Sequence, residues 1–123
     1  MVRGIRGAIT VDSNSREAIL EASRELLLAM IEANRLEPEE VVSVFFSLTP
    51  DLNAAFPAQS ARELGWTRVP LFCVQEIPVP GALPRVLRIL MHVNRDVGLD
   101  DVRHVYLRGA RALRADLAEP GWT

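Results

Sequence analysis

The chain has 123 residues, 49% of them apolar, and a formal net charge of −2. That length suits one domain with its own core. No apolar run nears the ~18 residues that span a bilayer, and the charge balance carries no general nucleic-acid footprint. Cys73 stands alone, which excludes an internal disulfide and suits a reducing, cytoplasmic setting. The first residues lack the basic-then-apolar layout of a signal peptide. All 14 basic residues are arginine. Genomic composition is the plainer source of that bias, and a functional one stays open because arginine is the better partner for carboxylates.

Residues 2–11 read as a strand in which Gly4 and Gly7 mark a bulge or a close approach. Asp12-Ser13-Asn14-Ser15 supplies N-cap residues. A helix over about 16–34 follows, with Ile19, Ala22, Leu26, Met30 and Ala33 as its apolar stripe. After a connector at 36–40, Val41–Thr49 is a dense β-former run, apolar on both faces and so expected to be covered on both sides. A loop over 50–57 leads to a short helix at 58–64, stopped by Gly65. Trp66 leads into a strand through Val79. A helix over 82–95 is then expected, with core residues Leu83, Val86, Leu87, Leu90 and Met91. Arg85, Arg88, His92 and Arg95 share its other face, with Arg85 and Arg95 solvated. A strand over 102–107 and a weakly constrained tail, 108–123, close the chain. The order describes one α/β or α+β domain over 1–123.

Phosphate loops, metal-ligand clusters and nucleophile elbows are missing from the sequence, so neither metal nor cofactor is expected. The informative residues are charges inside strands. Glu76 follows Leu71-Phe72-Cys73-Val74-Gln75 and shares a face with Phe72 and Val74, with Cys73 on the other face. A carboxylate there needs a cation or strong donors. Arg6 sits inside the first strand, and Tyr106 lies between Val105 and Leu107 in the last. Arginines, one carboxylate and one tyrosine would together suit a small, anionic, hydroxylated ligand.

Several blocks resemble the AroH-type chorismate mutases, the monofunctional bacterial class. They are Arg3-Gly4-Ile5-Arg6-Gly7-Ala8, Thr49-Pro50-Asp51-Leu52, Phe56-Pro57-Ala58, Arg62-Glu63-Leu64-Gly65-Trp66, Cys73-Val74-Gln75-Glu76, Arg88, Arg103-His104-Val105-Tyr106-Leu107 and Leu113-Arg114-Ala115-Asp116-Leu117. Their order and separations match over nearly the whole chain. The resemblance implies a homotrimer with a barrel-like centre of mixed sheets, helices outside, and active sites between subunits. It implies rearrangement of chorismate to prephenate, without covalent catalysis, metal or cofactor. It carries over Arg88 as the catalytic cation, Arg6 with Tyr106 as carboxylate partners, and Glu76 as acceptor for the ring hydroxyl with Cys73 and Gln75 nearby. Phe56, Ala58, Leu71, Phe72, Val74 and Leu113 become the apolar wall, and Arg62 and Arg114 the mouth. Gln59 stands where members often carry lysine, which removes one mouth cation, and the turn before Gly65-Trp66 is one residue shorter.

Two other readings compete. A RidA-type trimeric imine deaminase also uses an arginine for a carboxylate, but Glu76 with a second arginine at Arg88 favours the mutase. A non-catalytic module for an aromatic metabolite would bind without turnover.

Overall fold

The computed structural model describes residues 1–117, with side chains through Leu113. The side chain of Arg114 and the closing Pro120-Gly121-Trp122-Thr123 lie outside the described residues. The elements are β1 (Val2–Thr10), α1 (Arg16–Asn34), β2 (Val41–Leu48), α2 (Gln59–Glu63), β3 (Leu71–Gln75), β4 (Val86–Asn94) and β5 (Val105–Leu107). Short 3-10 turns cover Pro38–Glu40, Leu99–Asp101 and Arg108–Leu117. Among the described residues no helix is long and apolar enough to cross a membrane.

The five strands form one mixed sheet in the order β3-β2-β4-β1-β5. β4 is antiparallel to both β1 and β2, and the outer pairs β2·β3 and β1·β5 are parallel. The helix α1 covers one face of this sheet. Its Ile19, Leu26, Leu27 and Met30 pack with Ile5, Ile9, Val44, Phe46, Ile89 and Met91, all essentially removed from water. Gly7 explains the intimacy of that packing. A Cβ there would run into the Met30 sulfur and the Leu26 side chain, so the glycine serves a close approach. β1 carries no bulge, since its register with β4 is continuous; the irregularity falls in β2, between Val41 and Ser43.

The expected helix at 82–95 is a strand. Both periods fit its short apolar run, a known ambiguity. Burial decides for period two: Leu87, Ile89, Met91 and Val93 point to the core, while Arg88, Leu90 and His92 face the other way. Leu90, expected in the core, is 40% exposed. The β-branched Val86, Ile89 and Val93 favour the pleated state. The shared helical face of Arg85, Arg88, His92 and Arg95 therefore does not exist. Nor is Arg95 a free solvated residue. It forks onto Glu40 through Nε (2.8 Å) and Nη2 (2.7 Å), and Nη1 and Nη2 also donate to the carbonyls of Asn34 and Arg35 at the end of α1. Arg85 keeps an exposed head, but its Nε donates to the Val11 carbonyl at 3.1 Å.

The other elements follow their local chemistry. Ser15 caps α1 by accepting from the Ala18 amide. Asn14 accepts from the amides of Asn53 and Ala54 and so pins the 50–57 loop. The last strand is shorter than expected because the buried Asn34 pairs with both backbone groups of Arg103, at 2.9 and 2.8 Å, and holds the approach to β5. β2 reads apolar on both faces, yet among the described residues only one face is covered.

Candidate active site

The uncovered face of the sheet carries the chemistry. Register places Val74, Ser47, Arg88, Ala8 and Tyr106 in one row across β3, β2, β4, β1 and β5. The next row runs Phe72, Phe45, Leu90 and Arg6. Alternation along each strand puts both rows on the same face. Between them lies an open cleft of about 300 Å³ lined by Arg6, Ser47, Val74, Glu76, Arg88 and Tyr106, with Phe45 and Leu90 as its apolar floor.

Glu76 sits one residue beyond β3, its amide still bonded to the Leu48 carbonyl at 2.9 Å. Its Oε1 accepts from the Ser47 hydroxyl at 2.7 Å and lies 3.5 Å from Arg88 Nε. That Nε is buried and makes no hydrogen bond among the described residues, although the Arg88 side chain as a whole is 41% exposed. Arg6 reaches the cleft from β1, and its amide donates to His104 Nδ1 at 3.0 Å. Among the described residues no hydrogen bond or ion pair engages the Arg6 guanidinium. Two guanidinium groups against one carboxylate leave the cleft with excess positive charge.

Of the residues singled out in the sequence, five converge here: Arg6, Val74, Glu76, Arg88 and Tyr106. The buried strand face expected around Glu76 is instead the exposed one, since Phe72 and Val74 are both open to solvent. β3 is an edge strand, and among the described residues nothing covers that side. Cys73 and Gln75 do not join Glu76. They line a second hollow of about 480 Å³ with Phe56 and Gln59, under the 49–57 loop. Arg62 and Leu71 border a third, shallower hollow beside Trp66. Ala58 is buried in the core, Leu113 is half-buried among the closing 3-10 turns, and the side chain of Arg114 is outside the described residues.

Ser47, Phe45 and Leu90 line the cleft and are absent from the sequence-based set. A signal for the first exists. Ser43 and Ser47 alternate with Phe45 inside an otherwise dense apolar run, marking a half-polar strand face.

The chain matches the family description "Chorismate mutase type I" over residues 2–117. It is 58% identical over 118 residues to the chorismate mutase AroH of Thermus thermophilus, covering 95% of this chain and 97% of that protein. Identity to the AroH of Bacillus subtilis is 49% over 119 residues, covering 96% and 94%. A solved chorismate mutase from Clostridium thermocellum superposes with a TM-score of 0.88 at 46% identity, covering 89% of this chain and 98% of that one. With its mixed sheet, its arginine-lined cleft and a match that runs almost end to end, the chain belongs to the type I chorismate mutase family.

Proposed function

We infer that the protein is an intramolecular isomerase that rearranges chorismate to prephenate, a step towards the aromatic amino acids. The observation that carries this reading is the Arg6–Arg88–Glu76 cleft in a chain of this family. Chorismate is a dianion, and its concerted rearrangement needs no nucleophile. The cleft has to fix two carboxylates, hold the reacting carbons together, and meet charge that develops on the ether oxygen. Arg6, with the Tyr106 hydroxyl, receives a carboxylate. Arg88 presents a guanidinium to the ether oxygen as its bond to the ring breaks, an interaction stronger in the transition state than in the ground state. Glu76 accepts from the ring hydroxyl through the oxygen not held by Ser47.

The working enzyme is a homotrimer with each cleft completed by a neighbour. Phe45, Phe72, Val74 and Leu90 leave an apolar face uncovered around the cleft, and such patches mark association surfaces. Phe56, Arg62 and Leu71 lie in separate hollows of the same chain, free to serve a neighbour's cleft. The lone free thiol, Cys73, suits a cytoplasmic enzyme.

Loss of the chorismate diene absorbance tests the activity directly. A folded protein with a solution mass three times 13.7 kDa that leaves chorismate unchanged would remove this reading.

A further inference from the structure

Glu76 and Arg88 carry opposite charges in a half-open cleft, yet they do not form the two-pronged pair that a guanidinium and a carboxylate normally adopt. Oε1 stands 3.5 Å from Arg88 Nε, and that Nε has no hydrogen bond among the described residues. Arg95 and Glu40 elsewhere in the same chain close to 2.7 and 2.8 Å. At Glu76 a side chain of the neighbouring strand engages the carboxylate. Ser47, directly opposite Arg88 in the β2·β4 register, donates its hydroxyl to the same Oε1 at 2.7 Å. An O–H bond to a carboxylate oxygen is charge-assisted and strong, and it fixes where the Glu76 carboxylate sits relative to the guanidinium.

We propose that Ser47 is a positioning residue that holds the Glu76 carboxylate away from Arg88, so that neither charge is spent on the other before substrate arrives. Closed onto each other, the carboxylate would consume guanidinium donors needed at the developing oxyanion. Preorganised charge works only if it is unquenched at the moment of reaction. Serine suits the position because its hydroxyl reaches Glu76 Oε1, and an apolar side chain would release the carboxylate. The neighbouring groups are consistent. Arg88 lines the cleft from β4, Arg6 from β1 and Tyr106 from β5, and of the polar lining residues Ser47 is the one whose hydroxyl bonds Glu76 among the described residues. The inference rests on the roles given above to Glu76 and Arg88.

A double-mutant cycle with chorismate as substrate tests it. Ser47→Ala should lower kcat/KM about tenfold, the value of a hydrogen bond to a charged group. In the Glu76→Ala background the same change should cost less than about twofold, because a residue acting through Glu76 has nothing left to position. Ser47→Thr, which keeps the hydroxyl, should retain activity, whereas the similarly shaped Ser47→Val should fall with Ser47→Ala. This second pair also decides the matter should the alanine variant fold poorly. Full activity in Ser47→Val, or an equal tenfold loss in the presence and absence of Glu76, overturns the proposal. Full activity in Glu76→Ala alone instead overturns the assignment of the site.

Discussion

Arg88 Nε lies 3.5 Å from the Glu76 carboxylate and makes no hydrogen bond among the described residues. A buried donor without a partner normally costs stability. Its persistence beside an anion, on a strand otherwise packed with Leu87, Ile89, Met91 and Val93, fits a group kept for a ligand. The strand supplies rigidity. β4 is the central strand, bonded on both sides over almost its full length, so Arg88 is carried by a stiff part of the sheet.

Replacement of Arg88 tests the catalytic assignment. Arg88→Ala should lower kcat far more than it raises KM, by roughly 10²–10³ or about 3–4 kcal/mol of barrier, the usual cost of losing one electrostatic donor to the transition state. Arg88→Lys should recover only part of that, because a point charge lacks the planar fork. Steady-state kinetics on both variants checks this. A loss confined to KM would make Arg88 a binding residue only.

Arg6, Glu76 and Tyr106 stand out in the sequence because charges and a phenol interrupt β-former runs, and Arg88 because its spacing matches a family; the structure brings all four to one cleft. Their common cleft was not legible, since it depends on register. Arg88 reads equally well on a helix, and only pairing with Ser47 on one side and Ala8 on the other fixes its face. Ser47 escapes notice for a related reason: its role comes from what lies across the strand, which no linear spacing reveals. Cys73 and Glu76 are close in sequence yet lie on opposite sides of the sheet, a direct consequence of strand alternation. Phe56 and Leu71, expected in the wall, and Arg62, expected at the mouth, line other hollows of the same chain, and only the proposed trimer would carry them to a neighbour's cleft.

Gly7 offers a test of how α1 seats against the strand that carries Arg6. The added methyl of Gly7→Ala meets the Met30 sulfur and Leu26, both fully buried and unable to swing into water. Overpacking of this kind costs about 1–3 kcal/mol. Chemical denaturation should show that loss, and Met30→Val in the same chain should restore part of it because the two sites share the space. An unchanged midpoint for Gly7→Ala would mean that α1 is held less tightly than the packing indicates.

Arg35 ends α1 with φ 50, a left-handed conformation that glycine adopts without strain. Only its backbone is engaged. Its amide caps the helix, its carbonyl accepts from Arg95, and its side chain is exposed. Arg35→Gly should therefore stabilise the fold by about 1 kcal/mol, the relief of strain exceeding the extra freedom of the unfolded chain. Thermal unfolding measures the effect, and kcat should be unaffected.

The Glu40–Arg95 fork gives a pH dependence with a defined sign. Hydrogen bonds from Arg95, then from the Glu37 amide, lower the Glu40 carboxyl from 4.5 to about 2. The unfolded chain therefore binds a proton that the native state does not across that interval, and stability must rise with pH there. The contribution is complete above the unfolded value and disappears as pH falls from about 4.5 towards 2. Its size should be about 1–2 kcal/mol, reduced from the full linkage value because the pair is partly solvated. Glu40→Gln should be less stable than the parent by that amount at neutral pH, and the gap should narrow as the parent carboxyl takes up its proton. Denaturant midpoints at fixed protein concentration from pH 2 to 7 would show this convergence, and a gap that stays constant to the acid end would assign the effect to packing instead of charge.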